Sequence, residues 1–278
     1  MSDAITEETL LSNGGAGHEG EVVLRCSGLK VEHDGETIVE GLNLVVRSGE
    51  RIALVVHSEW GARLIPRCFV GTARPREGSI ELFDQPLDGL SEGDLLALRR
   101  KLGYVFHNSG LIHNLTIWYN VALPALYHNR FVDAEWIRSR VEELLDRCLL
   151  TGVRNARPGV LDDYSRKRAA LARSWVLSPP LVILEDPLVE IDSSSARRLL
   201  ELAIGPAPER WEGKDPRPPA PAVLVTSQGF HESFFRFADR LVILEEGRVV
   251  FDDDPRRFDR RGKAHVSDLM TDAESKQG

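Results

Sequence analysis

The most constraining feature of this chain is a strand, a tight turn and a helix start between residues 51 and 65. An apolar run, Arg51-Ile52-Ala53-Leu54-Val55, is followed by Val56-His57-Ser58-Glu59-Trp60-Gly61-Ala62-Arg63 and then Leu64-Ile65. A phosphate-binding loop occupies such a context, with the pattern G-x-x-x-x-G-K-[ST] and helix N-terminal amides facing the phosphates. Here the frame is present with other residues in it. Val56 stands where the first glycine belongs, Ala62 where the lysine belongs and Arg63 where the hydroxyl belongs. Gly61 alone fits. The stretch by itself assigns no nucleotide site.

With 278 residues, 42% of them hydrophobic, the chain can bury one sizeable core, or a core with a helical appendage. Its net charge of -8 argues against a sequence-independent grip on nucleic acid. Cys26, Cys68 and Cys148 are scattered, without a C-x-x-C pair. They read as free thiols of a reducing cytosol rather than as disulfides or a zinc site. No apolar run approaches the roughly 18–20 residues of a membrane span. Service to a membrane would come from outside the bilayer.

Taken in order, residues 1–20 are small, polar and acidic, as in a flexible tail. Val22–Cys26 and Thr37–Val39 are predicted strands of a hairpin turning at Asp34-Gly35. Leu42–Val46 reads as a further strand ahead of the one that leads into Val56. Pro66 should compromise the helix after Gly61 early, and Gly71 and Pro75 should close it. Ile80–Phe83 and Leu102–Phe106 read as strands, with a short helix between them capped by Ser91. From His107 to about Ser178 the pattern is helical. In Asp133–Leu150, Trp136, Ile137, Val141, Leu144, Leu145 and Cys148 share one predicted face, which is core stripe rather than cofactor box.

Leu181–Leu184 and Ala222–Thr226 are continuous apolar runs, as in strands buried on both faces. A helix is expected over Ser194–Leu202, a surface excursion over Gly205–Pro221 and a hairpin at Glu246-Gly247. The basic residues Arg256, Arg257, Arg260, Arg261 and Lys263 alternate with aspartates and read as a solvated face. His128, His231 and His265 lack metal-ligand spacing. The alternation of buried strands and helices predicts an α/β fold with a β-rich subdomain.

Over roughly residues 22–252 the order of these landmarks resembles the nucleotide-binding domain of ABC transporters. Val105 to His128, with Asn114-Leu115-Thr116 and Asn120-Val121-Ala122-Leu123-Pro124, is most similar to ATP-binding subunits of MCE-type (Mla-like) lipid transporters. The resemblance implies a P-loop NTPase-like fold with a mixed core sheet, an antiparallel β-subdomain and a helical subdomain at about 107–178. The domain would run over 21–252 and a charged tail over 253–278. The implied place is cytoplasmic, peripheral on the inner face of the cell membrane. The implied partners are a permease-like membrane subunit and a second ATP-binding subunit in a homo- or heterodimer.

Carried over residue by residue, the resemblance puts the adenine-stacking aromatic position at His33 and the phosphate loop at Val56, His57, Ser58, Glu59, Trp60, Gly61, Ala62, Arg63 and Leu64. It puts the Q-loop position at His107, and the signature at Leu161, Asp162, Asp163, Tyr164 and Ser165. The magnesium-facing carboxylate falls at Glu185, the catalytic carboxylate at Asp186, the D-loop aspartate at Asp192 and the switch histidine at Ser227. Nearly every position departs from the family's residue. Glu59 would bring negative charge toward the phosphates, and like charges about 4 Å apart at a dielectric near 20 repel by roughly 4 kcal/mol. Asp162 and Asp163 would do the same to a partner's nucleotide.

The expected protein is therefore a degenerate ATP-binding subunit, a pseudo-ATPase that binds ATP and magnesium weakly if at all. The alternatives are an active subunit using Arg63, Asp186 and His33, and a soluble regulatory protein on the same fold. Arg63 is expected to pair with Glu185 across the site, with Asp186 as a further partner.

Overall fold

The computed structural model describes residues 20–128, 133–205 and 221–261. The expected tail before residue 20, the excursion between 206 and 220 and the stretch from 262, with Lys263 and His265, lie outside them. So do the side chains of His128, Arg260 and Arg261.

Two sheets carry the fold. The first is antiparallel, in the order β2-β1-β4-β5. Its strands are β1 (Val22–His33), β2 (Glu36–Arg47), β4 (Glu77–Leu82) and β5 (Gln85–Pro86). Asp34 and Gly35 turn the β1–β2 hairpin with positive φ of 50° and 85°, as a two-residue hairpin requires. The segment Leu42–Val46, predicted as a separate strand, is the second half of β2. The pairing slips on either side of Leu29 opposite Leu42, beside Gly41 at φ 76°. A bulge there keeps one long strand where the sequence pattern shows a break.

The second sheet comprises β3 (Arg51–Val56), β6 (Leu102–Val105), β7 (Leu181–Leu184), β8 (Ala222–Ser227), β9 (Arg240–Glu245) and β10 (Arg248–Asp253). Its order is β10-β9-β3-β8-β7-β6, parallel throughout except for the β9–β10 hairpin. Alternation along its strands feeds two cores. Ala53 and Val55 of β3, with Val182 and Leu184 of β7, join the core under the helices. Ile52, Leu54 and Val56, with Leu181 and Ile183, join the core under the antiparallel sheet. The continuous apolar runs are thus strands buried on both faces.

The helices are α1 (Glu59–Phe69), α2 (Glu92–Arg99), α3 (Ile117–His128), α4 (Ala134–Arg147), α5 (Asp163–Trp175), α6 (Ser193–Ala203), α7 (Phe234–Phe237) and α8 (Pro255–Arg261). Ser91 and Asp133 cap α2 and α4. On α4 the predicted stripe is buried except for Trp136, which is 44% exposed. At 3.6 residues per turn it lies about 120° around the helix from the centre of the stripe that the other five residues form.

Pro66 does not stop α1, which runs on to Phe69. A proline deprives the carbonyl four residues earlier of its donor, here that of Ala62. The Thr226 hydroxyl of β8 donates to that carbonyl at 2.5 Å. The defect is thus satisfied from the neighbouring strand, and it ties α1 to the sheet. Gly71, at φ 67°, ends the helix as expected, donating to the Cys68 carbonyl while Thr72 donates to that of Arg67.

Candidate functional site

The parallel strands point one set of ends at α1, the loop after β6 and the start of α5. The candidate site residues gather there.

At the end of β3, the chain turns directly into helix. Ser58 is the N-cap of α1, and its Oγ accepts from the Gly61 amide at 3.1 Å. Val56 is buried, and its Cγ1 lies so close to Gly61 that a Cβ there would come within 2.5 Å of it. Glycine at 61 therefore admits the Val56 side chain. Ala62 is fully buried, Leu64 packs at the edge of the core under the antiparallel sheet, and His57 is exposed. Trp60 lies on His33, with ring centroids 3.9 Å apart and planes inclined by 33°.

Arg63 pairs with Glu59 one turn earlier, at 2.7 Å. The expected Arg63–Glu185 pair does not form. Helical side chains lean toward the helix N-terminus, so Arg63 reaches back to Glu59. The residue one turn later, Arg67, reaches the level of Glu185. Its Nε donates to Glu185 Oε2 at 3.1 Å and its second guanidinium nitrogen to Oε1 at 2.6 Å. Tyr104 Oη of β6 donates to Oε2 at 2.7 Å, and His107 Nδ1 lies 2.8 Å from Oε1. Glu185 itself is fully buried. The carboxylate raises the Arg67 pKa by accepting its hydrogen bonds, and burial beside it drives the Tyr104 phenol well above its ordinary value. A buried carboxylate needs such partners to remain charged.

Asp186 follows at φ 43° and is also fully buried. Its Oδ1 accepts from the Gln228 amide at 3.3 Å. Its Oδ2 and the Nε of Arg63 have no hydrogen-bond partner among the described residues. Burial raises the Asp186 pKa, opposed by the Gln228 hydrogen bond and by the charges of Arg63, Lys167 and His107. Lys167, nearly buried on α5, donates to the His107 carbonyl at 3.2 Å. The Ser227 hydroxyl donates to the Gly229 carbonyl at 2.8 Å.

The signature stretch is satisfied internally. Asp162 caps α5, accepting from the Ser165 amide at 2.6 Å, and that bond lowers its pKa. Asp163 pairs with Arg166, which also donates to the Leu161 carbonyl. Arg168 lies over the Tyr164 ring at 4.6 Å and donates to the Ser165 hydroxyl. Asp162 and Asp163 are thus both engaged within their own helix turn. Asp192 caps α6, accepting from the amides and hydroxyls of Ser194 and Ser195. Arg67, Tyr104 and Lys167 were not singled out from sequence. The signals available were the i,i+4 repeat of Arg63 with Arg67 and the tyrosine in the short β6 run.

The ABC transporter family model matches residues 39–189, more than half of the chain. The chain belongs to the ABC transporter family. The lipoprotein-releasing system ATP-binding protein LolD of Chromohalobacter salexigens is 30% identical over 237 residues, covering 84% of this family member and 94% of LolD. The methionine import ATP-binding protein MetN of Legionella pneumophila is 28% identical over 180 residues, covering 65% of this chain. The chain spans about half the length of that MetN (52%). Among solved structures, the dimeric bacterial ABC transporter cassette MJ0796 superposes with a TM-score of 0.70 at 23% identity, over 83% of this chain and 98% of that one. Clostridium perfringens cbiO1, part of the ABC transporter complex cbiONQ, gives 0.67 at 22% identity, over 90% and 99%. These likenesses establish the ABC ATPase fold. Among the described residues, no helix is long and apolar enough to cross a membrane.

Proposed function

We propose that this ABC family member is a degenerate ATP-binding subunit of a membrane transporter, acting as a docking or regulatory subunit with little or no ATP hydrolysis. One observation carries the reading. Both oxygens of Glu185, at the magnesium-facing position, are engaged by Arg67, Tyr104 and His107. A divalent cation would have to displace a bidentate guanidinium from a fully buried carboxylate. The residues present do not fit a magnesium nucleotide. The Ser58 and Asp162 caps support this, since each satisfies an amide that a phosphate would need. So does Trp60, whose ring already covers His33.

The reading in which Arg63, Asp186 and His33 do the work of the lysine, the glutamate and the adenine-stacking aromatic has less support. Arg63 is paired with Glu59 and His33 is stacked; Asp186 alone keeps an unpartnered oxygen. An interaction protein unrelated to transport needs only the fold, and no observation favours it.

We further propose an MCE-type lipid transporter as the assembly, with a permease-like partner at the inner face of the cell membrane and a second ATP-binding subunit. The support is the resemblance across Val105–His128. Within it, Asn120 is fully buried and shapes the preceding loop through hydrogen bonds to both the amide and the carbonyl of Ile112. The test is calorimetry with Mg-ATP and a phosphate-release assay on the purified chain, alone and with its dimer partner. Absence of micromolar binding and of turnover is expected. Micromolar binding with measurable phosphate release overturns the non-hydrolysing reading, and failure to co-purify from membranes with a permease-like subunit overturns the docking role.

A further inference from the structure

The cluster around Glu185 does more than obstruct a nucleotide. Its donors come from three places in the chain: Arg67 from α1, Tyr104 from β6 and His107 from the loop after β6. Glu185 itself extends β7, its amide donating to the Val105 carbonyl of β6 at 2.8 Å. The carboxylate is 0% exposed, whereas the Arg67 side chain is 32% exposed. One end of the ion pair is thus wholly inside the protein, and the other supplies the charge from the rim.

We propose that Arg67 is the resident cation of this site, a built-in lock that holds α1, β6 and the end of β7 together without metal or nucleotide. The inference deepens the non-hydrolysing reading and rests on it. A carboxylate in the interior demands a cation. In this chain the cation is covalently part of the fold, so the demand is met at all times. The fork matches the carboxylate with two parallel donors, a geometry specific to arginine. Beside it, His107 Nδ1 lies 2.8 Å from Glu185 Oε1, so a nitrogen and a carboxylate are the pair an exchangeable divalent cation would use once Arg67 is removed. The lock makes the site's conformation independent of ligand, as suits a subunit that contributes a fixed surface to an assembly.

The experiment measures thermal unfolding of the full chain with and without millimolar Mn2+, for the wild type, Glu185→Gln, Arg67→Ala and Arg67→Ala/Glu185→Gln. The wild-type midpoint is expected not to move. That of Arg67→Ala should fall and then rise by several degrees with Mn2+, and Arg67→Ala/Glu185→Gln should not respond. A wild-type response to Mn2+ that Glu185→Gln removes overturns the proposal, because the carboxylate would then be free despite Arg67. A folded Arg67→Ala that ignores Mn2+ overturns it as well. Should the alanine variant fail to fold, Arg67→Gln keeps amide donors without the charge and is judged by the same outcomes. Turnover of ATP by the wild type would sink the non-hydrolysing reading instead, so the two failures are distinguishable.

Discussion

The end of β3 and the end of β7 lie two strands apart in one sheet, and each is closed by a different kind of force. At β3 the closure is uncharged and local: Val56 packs on Gly61, and Ser58 caps α1 three residues before the amide it accepts from. At β7 it is ionic and long-range: Arg67 and Glu185 are 118 positions apart in sequence. Packing depends on shape and tolerates loss in increments, whereas a buried charge stripped of its partner is a single large penalty. The β7 end should therefore be the more brittle of the two.

The largest expected effect tests that directly. Arg67→Ala should cost about 3 kcal/mol of stability, the cost of leaving Glu185 buried and unpaired. Arg67→Met/Glu185→Gln should recover part of it, because no charge stays buried and the amide at 185 can still accept from Tyr104 and donate to His107 Nδ1. Urea midpoints check both; equal losses in the single and double variants would break the comparison.

Val56→Gly should cost about 2 kcal/mol, the burial free energy of one valine side chain, and the loss should not vary with salt. Restoring the loop with Val56→Gly, Ala62→Lys and Arg63→Ser should still give no Mg-ATP turnover while Arg67 holds Glu185. Phosphate release from that triple variant would place the block at β3 alone.

Asp162→Ala should cost about 1 kcal/mol at neutral pH, as for other lost N-caps. The Ser165 hydrogen bond depresses the folded-state pKa of Asp162. The contribution is therefore present above the ordinary carboxylate value near ~3.9 and is lost as pH falls through the folded value. Urea titrations at neutral pH and in acid should show the gap between wild type and variant closing at low pH.

The smallest effect has the opposite sign. Burial holds the folded Asp186 carboxyl above its ordinary value, so its contribution is full below about 3.9 and is lost as pH rises through the folded value. Asp186→Asn should raise the melting midpoint at pH 8 by on the order of 2 °C and change little in acid. A lowered midpoint at pH 8 would mean that Arg63 and Lys167 stabilise the charged form more than burial disfavours it.

Much of the scaffold was legible from the residues. The apolar runs at 51–55, 181–184 and 222–226, the Asp34-Gly35 and Glu246-Gly247 turns and the Ser91 and Asp133 caps carry local signals, and each appears where its chemistry puts it. Pro66 misled because its cost depends on whether another group satisfies the Ala62 carbonyl. That group, Thr226, is 164 positions away. Trp136 misled because, at 3.6 residues per turn, it lies about 120° off the centre of the face that Ile137, Val141, Leu144, Leu145 and Cys148 share. Arg63 misled because family register names the position that faces a ligand, while the lean of helical side chains decides which arginine reaches the carboxylate.

By itself, then, the sequence determined the α/β frame and the ABC family's order of landmarks, and it proposed which residues stand at the phosphate-loop, signature and carboxylate positions. These follow from short-range pattern, which turn and helix chemistry make readable. What fills the candidate site was decided only by the tertiary structure. Trp60 meets His33, Val56 meets Gly61, and Glu185 gathers Arg67, Tyr104 and His107. The physical reason is distance along the chain: a buried carboxylate states that it needs a cation, and only the packing of α1 against the ends of β6 and β7 selects which one it gets.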